Sequence, residues 1–227
     1  MQVGSSKGDL KLGRFEAADL FPLAQDTLVY HAGNVYGANS LRGRKDSNQF
    51  HAAGTINLGS GLSLEIGVVE SRIAATATTG NSAKGVRPVL SYAAGPLTAR
   101  VGLESGKYYG SNNDIAGFGA TVGYNFGGFT LTGNAATGKT DAASRDNQSA
   151  FGVTVAAGGL VVGVISAKTE AAVGEDTVQT VYASYAMPLF GIKGATVTPA
   201  VSLSTGKTAA GVESTDTGLR VRFNYAF

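Results

Sequence analysis

Apolar and polar residues alternate along most of this chain with a period of two. At the C-terminal end Leu219, Val221, Phe223, Tyr225 and Phe227 share one parity, and Arg220, Arg222, Asn224 and Ala226 share the other. That period puts the two sets on opposite faces of a β-strand. The same alternation predicts strands over 9–16, 49–59, 62–70, 86–94, 97–105, 114–126, 129–137, 149–157, 160–168, 177–188, 193–204 and 216–227, twelve in all. Pro199 falls inside the eleventh, where it costs a ladder bond unless the strand distorts locally.

The connections alternate in length. Short Gly- or Pro-bearing turns lie at 59–61, 95–96, 127–128, 158–159 and 188–191. Longer polar loops lie at 17–48, 70–85, 106–113, 138–148, 170–176 and 205–215. Short turns at one end and long loops at the other are the pattern of an outer-membrane barrel, whereas a soluble sandwich mixes the lengths. The expected fold is therefore all-β: a transmembrane antiparallel up-and-down β-barrel of about twelve strands. It forms a single domain over 1–227, with a long first extracellular loop at 17–48. A short helix before Pro22 or an extra strand at 27–30 fits that loop, and an extra hairpin there raises the count to fourteen. An even count puts both termini at the short-turn end. Tyr92, Tyr124, Phe126, Phe129, Tyr185, Phe190, Phe223, Tyr225 and Phe227 gather at that end too, as an interfacial aromatic girdle would.

Composition narrows the chemistry. Charged residues are 15% of the chain, against roughly 25% in soluble domains, and net charge is only +2. That balance argues against a nucleic-acid partner. No apolar stretch is long enough for a helical span, which leaves a closed barrel as the way to face lipid. With no cysteine and two histidines, neither disulfides nor thiolate metal sites are expected, and no cofactor is implied. No nucleophile, zincin or P-loop motif occurs, and neither His31 nor His51 follows a nucleophile motif, so an enzyme is not expected. The start, MQVGSSKGD, has no apolar stretch behind a basic residue and is not a signal peptide, which an outer-membrane chain would already have lost.

The chain ends with Val221, Phe223, Tyr225 and Phe227 two apart, closing on YAF. This resembles the last strand of Gram-negative outer-membrane barrels. The resemblance implies that Phe223, Tyr225 and Phe227 are the insertion signal read by the barrel-assembly machinery. The Gly-rich loops and FGG turn are similar to those of bacterial porins. GRFEAADLFP (13–22) and VYGANSLRGR (35–44) are similar to an early strand and loop of sugar porins. General porins have sixteen strands, and this shorter chain departs from them in that count.

The lumen decides the activity. Its faces are mostly Gly, Ala, Ser, Thr and Asn, too small to fill a twelve-strand interior. The expectation is an outer-membrane channel for passive diffusion of small hydrophilic solutes, with carbohydrates or anions as candidates. The expected pore-lining residues are Lys11, Arg14, His51, Glu65, Arg87, Arg100, Glu104, Arg220 and Arg222. Closure of the first strand on the last would gather Lys11, Arg14, Arg220 and Arg222 into a basic wall and give a mild anion preference. Asp19, Asp26, Arg42 and Arg44 mark the 17–48 segment as a candidate constriction loop, with an ordered extracellular cap as its alternative. A plugged structural or adhesion barrel and a soluble ligand-binding barrel compete with the channel. Expected partners are outer-membrane lipids and small solutes, with a monomer as the default.

Overall fold

The structure, a computed structural model, describes residues 1–24, 29–31, 33, 35, 37–43, 49–71, 83–108, 114–139, 147–170 and 173–226. Among these, every regular element is a strand. A two-residue turn joins β1 (Gln2–Ser5) to β2 (Gly8–Leu12). After the 13–48 segment come β3 (Gln49–Gly59), β4 (Leu62–Ser71), β5 (Ala83–Ala94), β6 (Leu97–Tyr108), β7 (Asp114–Asn125) and β8 (Thr130–Lys139). The chain continues through β9 (Asn147–Ala157), β10 (Leu160–Glu170), β11 (Glu175–Tyr185), β12 (Met187–Pro188), β13 (Ala195–Lys207) and β14 (Glu213–Tyr225). All pair antiparallel with sequence neighbours in one 14-stranded sheet, and β12 continues the line of β11 along β13.

The twelve expected strands are all present, with ends shifted by a few residues. Among the described residues the two additional elements are β1 and the fragment β12, and none lies inside 17–48. Residues 13–24 form neither helix nor strand; of the extra strand expected at 27–30, residues 27–28 lie outside the described residues and 29–30 form no strand. The first expected strand stops early, at Leu12, because Gly13 turns the chain at a φ of 113°. The break between β11 and β12 faces Pro199. Ser184 pairs Ala200 and Met187 pairs Val197 in one continuous register, with a gap between where Pro199 has no N–H to give.

Two expectations fail at the sheet's ends. β1 occupies the edge of β2 that the last strand was expected to take, and among the described residues β14 pairs only with β13, which leaves the sheet an open, partial barrel. The direct first-to-last pairing behind the proposed basic wall is therefore absent among the described residues. β1 also carries the start of the chain to the long-loop end, where the Met1 amino group donates to the Leu12 carbonyl at 2.9 Å.

The faces fall as the alternation predicts, and their burial is inverted relative to a water-soluble sheet. Leu103, Val122, Phe151, Val181, Leu203 and Phe223 point outward, each at least 47% exposed. The opposite parity points inward and is buried: Thr154, Thr180, Ser202 and Ser204 are at most 2% exposed. A contiguous apolar outer surface of this extent marks a face made for a non-aqueous environment. At the short-turn end it carries Tyr124, Phe126 and Phe129, with ring centroids 4.7 and 4.8 Å apart in succession.

Val201, outward at the middle of β13, tests the orientation. Val201→Arg should destabilise the protein folded into lipid vesicles by about 2–4 kcal/mol in urea titrations. A change within about 0.5 kcal/mol, as for an ordinary water-exposed site, would show that this face does not meet lipid.

Candidate functional site

The 13–43 segment fills the concave side of the sheet. Leu20, Phe21, Leu23, Val29, Val35 and Ala38 are at most 3% exposed and join Val89, Ala136, Ala150, Val161, Ile165 and Tyr182 of the wall in one apolar cluster. Leu41 forms a second cluster with Val69, Ala83, Tyr108 and Ile115 near the long-loop end. The two stretches singled out in the sequence, 13–22 and 35–44, dock on each other. The Ala17 N–H donates to the Arg42 carbonyl at 2.9 Å, and Arg42 Nε returns a bond to the Ala17 carbonyl at 3.1 Å.

Wall glycines make room for this segment. A Cβ on Gly119 would stand 2.7 Å from the Leu20 Cβ, and one on Gly102 2.8 Å from a Leu20 methyl. At Gly138 a Cβ would collide with the Gly37 carbonyl. The small inward residues thus serve as sockets as well as lumen lining.

A charged node ties segment to wall. Glu104 on β6 accepts the Ser40 N–H at 2.7 Å, the Leu41 N–H at 2.9 Å and Arg87 Nε at 2.9 Å. Arg87 on β5 donates through Nη2 to Asn39 Oδ1 at 2.8 Å, and its Nη1 lies 4.0 Å from Glu65 Oε1. Both Arg87 and Glu104 are almost fully buried. Glu65 on β4 accepts the Ala18 N–H at 3.1 Å. Asn39 Oδ1 also accepts the Leu20 N–H at 3.1 Å, while its Nδ2 donates to Asp19 Oδ1 at 2.9 Å. Asp19 pairs with Arg42 at 3.0 Å, and Arg42 lies 3.5 Å from Glu16.

Further wall side chains continue the pattern. Arg100 Nη1 donates to the Asp19 carbonyl at 2.8 Å, and Thr121 Oγ1 donates to the Leu20 carbonyl at 3.2 Å. Asn134 Nδ2 donates to the Pro22 carbonyl at 2.8 Å, and the Tyr182 hydroxyl points at the Leu23 carbonyl, 3.5 Å away. His51 on β3 stacks on Phe15 at 4.0 Å and bonds the Phe15 carbonyl through Nδ1 at 3.2 Å. At the far side, Tyr30 lies under the Arg220 guanidinium at 5.6 Å. Its hydroxyl donates to Asp216, which with the Asp216 charge raises its pKa above the usual tyrosine value.

The structure thus brings together Asp19, Arg42, His51, Glu65, Arg87, Arg100 and Glu104 around the inserted segment. Arg220 and Arg222 lie apart on β14, where Arg220 and Asn224 are exposed and Arg222 is half-buried. Lys11 takes the inward parity of its partner Ala53, and Arg14 is exposed just beyond β2. Asp26, Arg44 and Phe227 lie outside the described residues. Phe223 and Tyr225 point outward, 68% and 59% exposed. Sequence reasoning missed Asn39, Thr121, Asn134, Tyr30 and Tyr182 as ties to the segment. Tyr182 had a signal: it is a bulky ring on the inward parity, opposite Gly163.

No protein-family model matches the chain, and no curated protein matches it in sequence. Solved structures do. An anion-selective porin from Comamonas acidovorans superposes with a TM-score of 0.68 at 19% identity, covering 100% of this chain and 76% of that one. A substituted porin from Rh. blastica gives 0.60 at 20% identity, covering 98% and 75%. A loop-deletion form of an outer-membrane protein of Vibrio cholerae gives 0.60 at 14%, covering 99% and 78%. The chain therefore has a porin-like β-barrel fold.

Glu104→Ala strands a buried arginine and two amides, so it should cost about 3–5 kcal/mol in unfolding titrations and expose Arg42 to trypsin. The double change Arg87→Met with Glu104→Leu should recover part of that stability, because the buried charges go together. It should not recover all, since the Ser40 and Leu41 amides still lack their acceptor.

Proposed function

We propose that the protein is a bacterial outer-membrane channel for passive diffusion of small hydrophilic solutes, its cross-section narrowed by the inserted segment. One observation carries it: the outward parity of the long strands is apolar and exposed away from the long-loop rim, while the polar parity faces an interior occupied by a hydrogen-bonded segment. A soluble ligand-binding barrel would have these faces reversed. The likeness to an anion-selective porin adds support at the level of fold.

Selectivity falls to cations that the segment does not consume. Arg87 is neutralised against Glu104, and Arg100 is half-buried against Asp19 and Ser91. Arg222, Lys11 and Arg14 stay in reach of solvent or half so, on the elements bordering the sheet's open side, while Arg220 beside them lies over Tyr30 of the segment. A field from fixed cations along a narrow path biases passage toward anions. The outward Phe223 and Tyr225, with Phe227, fit the insertion signal for the barrel-assembly machinery.

Planar-bilayer recording should show a steady conductance with reversal potentials on the anion side. Arg222→Glu should shift them toward cations, and a permanently closed protein would instead favour the plugged barrel. Membrane residence also requires the free edges of β1 and β14 to be paired there, because lipid offers their peptide groups no partner. Hydrogen exchange on vesicle-embedded protein should therefore find the outer-edge amides of β14 protected. Exchange at the rate of free peptide would sink the membrane-spanning form.

A further inference from the structure

The two edges of the sheet run the same way. Because β12 only prolongs β11, the 14 strands make an odd number of antiparallel lines, and β1 and β14 both descend toward the short-turn end. Antiparallel closure needs an even number. Joined directly, β1 and β14 would pair in parallel, and β1 has 4 residues to set against the 13 of β14. Most of the outer edge of β14 would keep bare peptide groups, which lipid cannot satisfy.

Among the described residues β14 also lacks a flank. Its Leu219 is 78% exposed, whereas Val201, its cross-strand partner on β13, is 44% exposed. Arg220 and Arg222 share the inward parity and have Ala200 and Thr198 opposite them on β13. A strand laid on this edge would meet apolar side chains on the outside and guanidinium groups on the inside.

A second copy does not fit the gap. Inserted alike, its β1 meets β14 in parallel and is again only 4 residues long. Its β14 meets β14 only with the sheet turned over, which puts the apolar face of one copy on the polar side of the other. The gap takes an odd number of strands, each antiparallel to its neighbours. The Comamonas acidovorans porin has about a quarter of its length beyond the part matched here, more than one strand and its turn would use. Three is the next odd number.

We propose that a strand-donating polypeptide outside residues 1–227 fills the open side with a three-stranded antiparallel meander, its first strand on β14 and its last on β1. Its outward residues are apolar, and its inward residues beside Arg220 and Arg222 are polar or acidic. Main-chain pairing along the free edges holds it. This partner is needed only by the membrane-spanning form proposed above, and it supplies the edge pairing which that form requires.

The test adds strands ahead of Met1 in the full chain. Residues 130–170 (β8 to β10) rise, fall and rise, the order the gap demands, and residues 62–108 (β4 to β6) repeat that order in another sequence. Residues 147–170 (β9 and β10) add an even number and reach β14 in parallel. Each fusion and the unfused chain are folded into lipid vesicles, and the embedded fraction is read by protease resistance and heat-dependent gel migration. Both three-strand fusions should embed about tenfold more than the unfused chain, since they leave no bare edge in lipid. The two-strand fusion should match the unfused chain. Equal embedding of the unfused chain would overturn the partner, because the sheet then closes unaided. So would equal embedding of the two-strand fusion, or failure of both three-strand fusions. A three-strand fusion that embeds without conducting would sink the channel and keep the partner. An unfused chain that embeds fully and conducts would do the reverse.

Discussion

An irregular stretch of backbone buried against the concave side of a sheet must find hydrogen-bond partners from protein wherever water does not reach it. The described residues of the 13–43 segment have no ladder to supply them. The wall supplies them with side chains instead: Glu65 and Glu104 accept amides, and Arg100, Thr121 and Asn134 donate to carbonyls. Glu104 is the densest of these ties, since one carboxylate takes two amides and a guanidinium. Its burial would be ruinous alone and is tolerable because every one of those partners is in place. The pattern of inward polar residues along six strands follows from this demand. Much of what looks like a hydrophilic lumen in the sequence is a set of partners reserved for the segment.

The same demand explains where glycine sits. Gly102 and Gly119 receive Leu20, while Gly117 and Gly138 let the Gly37 backbone lie against the wall. A side chain at these positions would displace the segment and pull its peptide groups away from their partners. Steric fit and hydrogen bonding therefore fail together, which makes the inserted segment a cooperative part of the fold rather than a loose flap. The apolar cluster around Leu20, Phe21 and Leu23 adds burial that a purely polar lining would lack.

Alternation made the strands, their faces and the two unlike ends visible in the sequence, because a period of two is a local signal. The destination of 17–48 was not visible in that way. Its Leu20, Phe21 and Leu23 suit a cap as well as an insertion, and only contacts with Val89 or Ile165, far along the chain, distinguish the two. The N-terminal hairpin was missed because Gln2–Ser5 is too short and polar to show alternation, and it displaced the closure on which the basic wall relied. The Arg87–Glu104 pair was recoverable. The turn at Gly95–Pro96 sets Ala94 against Leu97, and counting back in that register brings Arg87 opposite Glu104. Pro88, which lacks an N–H, sits in the gap of that ladder between Val86 and Val89.

In the proposed channel, these ties decide which charges can report on permeation. Removing Arg87, Glu65 or Glu104 would alter the lumen field and unseat the segment at once, so any change in conductance would mix the two effects. Arg220 is partly in the same position, since it lies over the Tyr30 ring and Tyr30 also holds Asp216. Arg222 is the cleaner probe. It shares the inward parity of Arg220 one pair further toward the short-turn end, opposite Thr198 on β13. Among the described residues it makes no hydrogen bond or ion pair with the segment, so its charge acts on the lumen by field. A selectivity change at Arg222 with unchanged stability would separate the electrostatics of the path from the mechanics of the segment that narrows it.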